Sequence, residues 1–236
     1  QVHGDIGMIV HLAANARVYN LVQDPNPARD NFLTTYNVFE FARKNKIDKI
    51  IFSSSREVYG NSGKILHNED ESFVKHCEST YTATKIGGEA LLHSYNQCYG
   101  IDFIILRFSN VYGRYDFSDR VVPLFILKAL KNEDITIYGK NKILDFTYID
   151  DTVDGIFRSI LYFNKATNKT YNIATGEGFH LEAIARFIIK NTGSKSRMIF
   201  KENRTGEVIR FIADIREARS ILSYEPKFDL ETGLDK

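Results

Sequence analysis

The chain has 236 residues, 31 of them basic and 30 acidic, for a formal net charge of +1, and 43% are hydrophobic. That length suffices for a sizeable core in one domain, or one domain plus a smaller lobe. The balanced charge gives no sign of a nucleic-acid partner, and no apolar run reaches the ~18 residues that a membrane span requires. In chain order, His3-Gly-Asp-Ile6 reads as the end of one strand and Met8-Ile-Val-His-Leu-Ala13 as the next. Parallel neighbours need a crossover of a dozen or more residues. Only Gly7 lies between these two, so a connecting helix is expected outside this sequence. Pro25 and Pro27 mark a loop or helix start, and from Asn31 to Lys46 the residues Phe32, Leu33, Tyr36, Val38, Phe39 and Ala42 fall at helical spacing. Ile50-Ile51-Phe52 reads as a strand buried on both faces, as in a parallel sheet. It ends in Ser53-Ser54-Ser55, and open α/β sheets place ligands just beyond such ends.

Ser79 is placed to cap a helix that carries Tyr81 and Lys85. Residues four apart share one helix face, with Cβ atoms roughly 5–6 Å apart. An ammonium beside a phenol favours phenolate, pulling the tyrosine below its usual pKa of about 10 and toward use as a general base. The pattern alone is common in helices, where it is a half-buried tyrosine beside a solvated lysine. A serine hydroxyl at a strand end upstream completes a proton-transfer triad. Gly87-Gly88 within this helix costs up to ~1 kcal/mol each relative to alanine, which predicts a close approach to the helix backbone. Ile101 to Arg107 is another strand, followed by Phe108-Ser-Asn-Val-Tyr-Gly113 with Asn110 beyond the strand end. From about Arg114 the character changes. A helix (Pro123 to Lys131), a strand (Asp134 to Tyr138) and a turn at Gly139 lead to Asp145-Phe-Thr-Tyr-Ile-Asp-Asp151. A helix from Thr152, a strand from Lys169 to Ala174 and a helix from His180 to Asn191 follow. Cys77 and Cys98 form neither a disulfide framework nor a metal pair, and the six histidines are scattered. No metal is expected, and a reducing cytoplasmic setting is.

The motifs F-S-S-S-x-x-V-Y-G, Y-x-x-x-K, L-R-F-S-N-V-Y-G and D-F-T-Y-I-D-D occur in this order over nearly the whole chain. In this combination the sequence resembles the extended short-chain dehydrogenase/reductase family, the nucleotide-sugar epimerases and dehydratases. The resemblance implies an α/β fold, a Rossmann-like doubly wound parallel sheet with a smaller C-terminal substrate lobe. Residues 1–113 would form the NAD-binding domain and 114–236 mainly the lobe, with segments near 143–151 and 170–175 returning to the sheet. The family's first strand and Gly-rich phosphate turn would precede residue 3, so a longer chain is expected. NAD is the implied cofactor, a nucleotide sugar (a UDP-sugar foremost) the implied substrate, and a homodimer packed on the Tyr81 helix the implied assembly.

Carried over residue by residue, the resemblance implies catalysis by Ser55, Tyr81 and Lys85. NAD would meet Asp5 at the adenine, and Ile6, Ala13, Ala14, Asn31, Ser53 and Phe108 besides Tyr81 and Lys85. The substrate would meet Ser55, Glu57 and Asn110, with Arg204 on its diphosphate and Glu207 at its ribose. Arginine suits that task because its planar fork binds two oxygens at once. Without the resemblance, Ala13-Ala14 is tight packing, Asn31 a helix cap and Arg204 a solvated surface residue. The implied activity is that of a UDP-glucose/UDP-galactose type 4-epimerase, by transient oxidation and re-reduction at C4. A 4,6-dehydratase or decarboxylase using Glu57 as an extra base is the alternative within the family. An inactive scaffold or sensor is the alternative outside it, though a scaffold has no need of Ser55, Tyr81 and Lys85 together. Leu144 stands where many relatives carry a second diphosphate arginine. Arg56-Glu57 stands where dehydratases tend to have Asp-Glu and decarboxylases Ser-Glu. A guanidinium stays protonated well above neutral pH and makes a poor acid, which favours epimerisation.

Overall fold

Successive residues of a strand point to opposite faces, yet Ile50, Ile51 and Phe52 are all buried, so apolar layers must cover both sides of this sheet. The computed structural model, which describes residues 6–236, has that arrangement. Its strands are β1 (Ile9–His11), β2 (Lys49–Ser55), β3 (Leu66–His67), β4 (Asp102–Phe108), β5 (Asn110–Tyr112), β6 (Ile135–Tyr138), β7 (Ile143–Tyr148), β8 (Lys169–Ile173), β9 (Gly178–His180), β10 (Met198–Lys201) and β11 (Arg210–Ala213). The helices that frame the first half are α1 (Val18–Gln23), α2 (Asn26–Lys44) and α3 (Thr80–Tyr99). The central sheet is wholly parallel in the order β1-β2-β4-β8. On one face Ile50, Phe52, Phe103 and Ile105 pack with Phe39 of α2 and with Leu92 and Tyr95 of α3. On the other, Ile51, Ile104, Leu106 and Tyr171 meet Phe163, Leu222 and Tyr224. This is the Rossmann-like arrangement that the resemblance implies, and β2 is the doubly covered strand that the apolar run predicts.

Local chemistry fixes the helix ends. Ser79 Oγ accepts from the Thr82 amide at 3.1 Å, and Gly100 closes α3 in the left-handed region at φ 68°. Helix α2 begins at Asn26, with proline in its first turn, earlier than the apolar periodicity places it.

The second half builds further sheets, β3-β11-β7-β5, to which the first half contributes β3 and β5, with β9 antiparallel on β7, and a parallel pair β10-β6. They enclose a separate core that includes Phe125, Ile137, Phe146, Ile184 and Phe211. Of the two segments expected to return to the central sheet, Lys169–Ile173 does so, as β8 against β4. The segment near 143–151 does not: β8 occupies the free edge of β4, and β7 pairs instead with β5, β9 and β11. Both of the motif aspartates that the structure engages are framework residues. Asp145 is buried and accepts from the amides of Thr175 (3.1 Å), Gly176 (2.9 Å) and Ala213 (3.3 Å). Asp151 accepts from the amides of Lys227 (2.9 Å) and Phe228 (3.0 Å). Among the described residues no helix is long and apolar enough to cross a membrane, and no cluster of His, Cys, Asp and Glu could hold a metal ion.

The two helix glycines have different reasons. A Cβ on Gly88 would lie 2.5 Å from Phe52 Cζ, and one on Gly87 would lie 2.6 Å from Phe32 Cε1. Phe52 is 1% exposed and walled in, whereas Phe32 is 45% exposed and can swing away. Gly88→Ala should therefore destabilise the fold by about 1–3 kcal/mol through overpacking. Gly87→Ala should be neutral or stabilising by up to ~1 kcal/mol through helix propensity. Urea unfolding of the two variants measures the difference.

Candidate active site

Strand β2 ends in Ser53-Ser54-Ser55 and helix α3 opens beside it, so sheet and helix together place three side chains at one spot. Ser55, Tyr81 and Lys85 all line a cleft of about 750 Å³ at the C-terminal ends of the parallel strands, within the ~300–1,000 Å³ usual for small-ligand sites. Lys85 Nζ donates to the Ser53 carbonyl at 2.7 Å and lies 5.8 Å from the centre of the Tyr81 ring. An ammonium has three donors, so two are left for a ligand.

The expected lowering of the Tyr81 pKa by Lys85 is outweighed at this site. Burial pushes the Tyr81 phenol up to about 12, and the charge of Glu57 adds to this; the Ser55 hydroxyl, Arg120 and Arg56 pull the other way. Lys85 is itself brought down to about 8 by burial, with Glu89 opposing. Desolvation of the phenolate outweighs a cation that is turned toward a backbone carbonyl, so Tyr81 is held as the phenol.

Glu89, four residues beyond Lys85, anchors α3 to the sheet. Arg107 of β4 grips it with Nε (3.0 Å) and Nη2 (2.7 Å), and Ser54 Oγ donates to it as well. The third arm of Arg107 reaches Tyr59 Oη (3.1 Å) and the Glu69 carbonyl (2.7 Å), and Tyr59 donates to Asn172 Oδ1 of β8 at 2.6 Å.

Besides the three residues above, Ala14, Ser53, Glu57, Phe108, Asn110, Arg204 and Glu207 line the cleft. Others expected at the cofactor do not. Ile6 packs against the apolar layer between sheet and helices, and Ala13 is exposed beside the cleft. Asn31 spends its amide on the protein: Oδ1 accepts from the Asn15 amide (2.7 Å), and Nδ2 donates to the Asn15 carbonyl (3.0 Å) and Thr84 Oγ1 (3.4 Å). It clasps the loop after β1 to α3. Asp5 lies outside the described residues. Asn110 is committed in part, with Nδ2 on the Asp145 carbonyl (2.8 Å) and Oδ1 accepting from Arg56 (3.0 Å).

The far end of the cleft holds residues that the sequence did not single out. The Arg204 guanidinium stacks over Tyr138 at 3.9 Å and Tyr19 at 4.6 Å. Lys142, 4% exposed, donates to Glu207 Oε2 at 2.6 Å. The K-N-K run of a tight turn reads as solvated surface, and only a partner 65 residues away buries its last lysine. Tyr138, closing an alternating strand, is the one signal that could have been followed. Arg17, Arg56, Lys85, Arg120, Lys128, Lys142 and Arg204 line the cleft against Glu57, Asp119 and Glu207 alone. A strongly basic cleft therefore sits in a nearly neutral protein, and it suits a ligand carrying phosphates.

Lys85 gives this site a pH signature. Between its folded pKa of about 8 and the ordinary 10.5 the unfolded chain holds the extra proton, so this group's contribution to stability rises with pH across that window. Below it the buried ammonium costs up to about 3 kcal/mol. Lys85→Met should be more stable than wild type near neutral pH, and the advantage should fade as pH rises from 8 to 10.5. Urea unfolding over that range checks it.

Comparison with known proteins identifies the family. A model of the NAD dependent epimerase/dehydratase family matches residues 2–174. A putative UDP-glucose 4-epimerase of Methanocaldococcus jannaschii is 35% identical over 98% of this chain and 76% of its own. The structure of UDP-glucose 4-epimerase from Thermotoga maritima, with UDP-glucose, superposes with a TM-score of 0.89 at 31% identity, over 97% of this chain and 74% of the other. That of UDP-glucuronic acid 4-epimerase from Bacillus cereus, with UDP-glucuronic acid and NAD, gives 0.91 at 30% identity, over 98% and 73%. By family match and fold together, the chain belongs to the NAD dependent epimerase/dehydratase family.

Proposed function

We propose that this chain is the body of an NAD-dependent UDP-sugar 4-epimerase, of the UDP-glucose/UDP-galactose type. The observation that carries the reading is the convergence of Ser55, Tyr81 and Lys85 in one basic cleft. The cleft suits the nicotinamide end of NAD: Lys85 offers two free donors to ribose hydroxyls, and Ala14, Ser53 and Phe108 supply a wall of small and apolar groups. When bound, NAD supplies the hydride acceptor and donor and a positive charge. Tyr81 takes the proton of the C4 hydroxyl and later returns it, and Ser55 hydrogen-bonds the same oxygen. Since burial holds the free phenol protonated, the turn of Tyr81 to base belongs to the loaded site. The 4-keto sugar presents its other face before the proton comes back. Arg204 and Lys142 meet the diphosphate, Lys142 standing near the position where Leu144 offers no charge.

Epimerisation is favoured over dehydration because the base that elimination needs, Glu57, is held by Arg56 at 2.8 Å. A second copy of the chain belongs to this reading, supported by Phe32, Leu33 and Tyr36, which α2 leaves exposed. So does a cytoplasmic setting, supported by the free thiols of Cys77 and Cys98.

Full-length protein given NAD and UDP-glucose should yield UDP-galactose of unchanged mass; a product lighter by one water would overturn the reading. Tyr81→Phe should lower turnover by ~10²–10⁴, the usual worth of a positioned acid/base group, with its urea midpoint little changed. Steady-state rates measured alongside unfolding separate the two effects.

A further inference from the structure

At the far end of the cleft two positive side chains surround a negative one. Lys142 lies just before β7, two residues from Leu144, and both line the cleft. Its ammonium donates to Glu207 Oε2 at 2.6 Å. The other oxygen of that carboxylate, Oε1, lies 3.9 Å from Arg204 Nη1. A carboxylate between two cations occupies the kind of place that suits a phosphate. Glu57 is the other carboxylate that Lys142 faces, and Arg56 holds it at 2.8 Å. Glu207 is thus the counterion to which Lys142 is bonded.

The backbone that carries Glu207 is fixed. Asn61 Nδ2 donates to the Glu207 carbonyl at 3.2 Å, and Asn61 Oδ1 accepts from the Ile209 amide at 2.8 Å. Gly206 sits at φ 81°, where a Cβ would lie 2.6 Å from Val22 Cγ2. Movement is therefore left to the side chains. That of Lys142 is 4% exposed, against 22% for Glu207 and 31% for Arg204. Lys142 is the covered member of the three, and Glu207 has open cleft to turn into.

We propose that Glu207 is a resident counterion that masks Lys142 and turns aside for a diphosphate, so that the full charge of the clamp is released only to a ligand that replaces it. The inference rests on the UDP-sugar epimerase reading and adds a control on its diphosphate site. A nucleotide-sugar diphosphate carries one negative charge on each phosphate, and Lys142 and Arg204 match that pair once Glu207 has left. A carboxylate that stayed would set like charges together in a poorly hydrated wall. Turning it aside gives up its hydrogen bond to Lys142, and a phosphate oxygen takes its place. A nucleoside without phosphates brings nothing to replace the carboxylate and leaves Lys142 masked. The proposal moves Glu207 from the ribose, where the resemblance puts it, to the clamp.

The test is equilibrium binding of uridine and of UDP to the full-length, NAD-loaded protein. Glu207→Gln, which keeps the shape and removes the charge, should tighten UDP by about ten-fold, the scale of one charge-assisted hydrogen bond no longer given up. Uridine affinity should not move. The double variant Lys142→Met/Glu207→Gln strands neither charge, so it serves even if the single variant fails to fold. It should bind UDP within a few-fold of wild type, because the bond that Lys142 gains to phosphate is the one it loses to Glu207. Were the two residues independent ligand contacts, their losses would add to about a hundred-fold. That result, unchanged UDP affinity in Glu207→Gln, or equal loss of uridine and UDP would overturn the masking role while leaving the epimerase reading intact. Failure of wild type to bind UDP would overturn both.

Discussion

The pair formed by Glu89 and Arg107 is the constraint on which the site depends. It is buried, bidentate, and joined by Ser54 on one side and Tyr59 on the other. Helix α3 carries Tyr81 and Lys85, strand β2 carries the serines, and this pair joins the contact of Lys85 with the Ser53 carbonyl in fixing their relative rotation. Losing one member of such a pair strands a buried charge, typically at about 3–5 kcal/mol, a large part of the ~5–15 kcal/mol that holds a domain together. The network thus ties the geometry of the cleft to the stability of the sheet itself. Its charge also reaches the chemistry, because Glu89 is the one group that offsets part of the desolvation of Lys85.

The cleft obtains its affinity for anions by arrangement rather than by excess. With a formal net charge of +1 the molecule has no long-range pull on a polyanion. Within the cleft the cations are graded: Lys142 is neutralised by Glu207, Arg56 by Glu57, and Arg204 rests on two aromatic faces. An arginine on aromatic rings keeps its full charge and its donors while its position is fixed, so little order has to be created when phosphate arrives.

What the sequence disclosed follows from the range of the interactions involved. Helix α3 and its Ser79 cap, and the doubly covered strand β2, depend on neighbours within a few residues, and both were legible. The placing of Ser55, Tyr81 and Lys85 on one cleft was legible because a strand end and the helix start beside it leave little freedom. The edge taken by β7 was not, since it depends on β8, which follows later in the chain and pairs with β4. Asn31 and Lys142 escaped for the same reason, their partners lying 16, 53 and 65 residues away. The direction of the Tyr81 shift was missed because spacing on a helix reports proximity of charge but says nothing about loss of water. Burial has the larger effect here.

Asp145 carries a consequence for how the molecule assembles. Its carboxylate collects backbone amides 30, 31 and 68 residues further along the chain, from the turn after β8 and from β11. None of these bonds can form until loops of those lengths have closed, and such closures consume chain entropy before any contact returns it. The first half, whose strands are linked through local helices, can reach its packing sooner. Until the later loops close, Asp145 keeps its water and the unpaired backbone edge of β7 stays open to other chains. Slow synthesis or a chaperone that shelters residues 143–148 should therefore raise the yield of this protein.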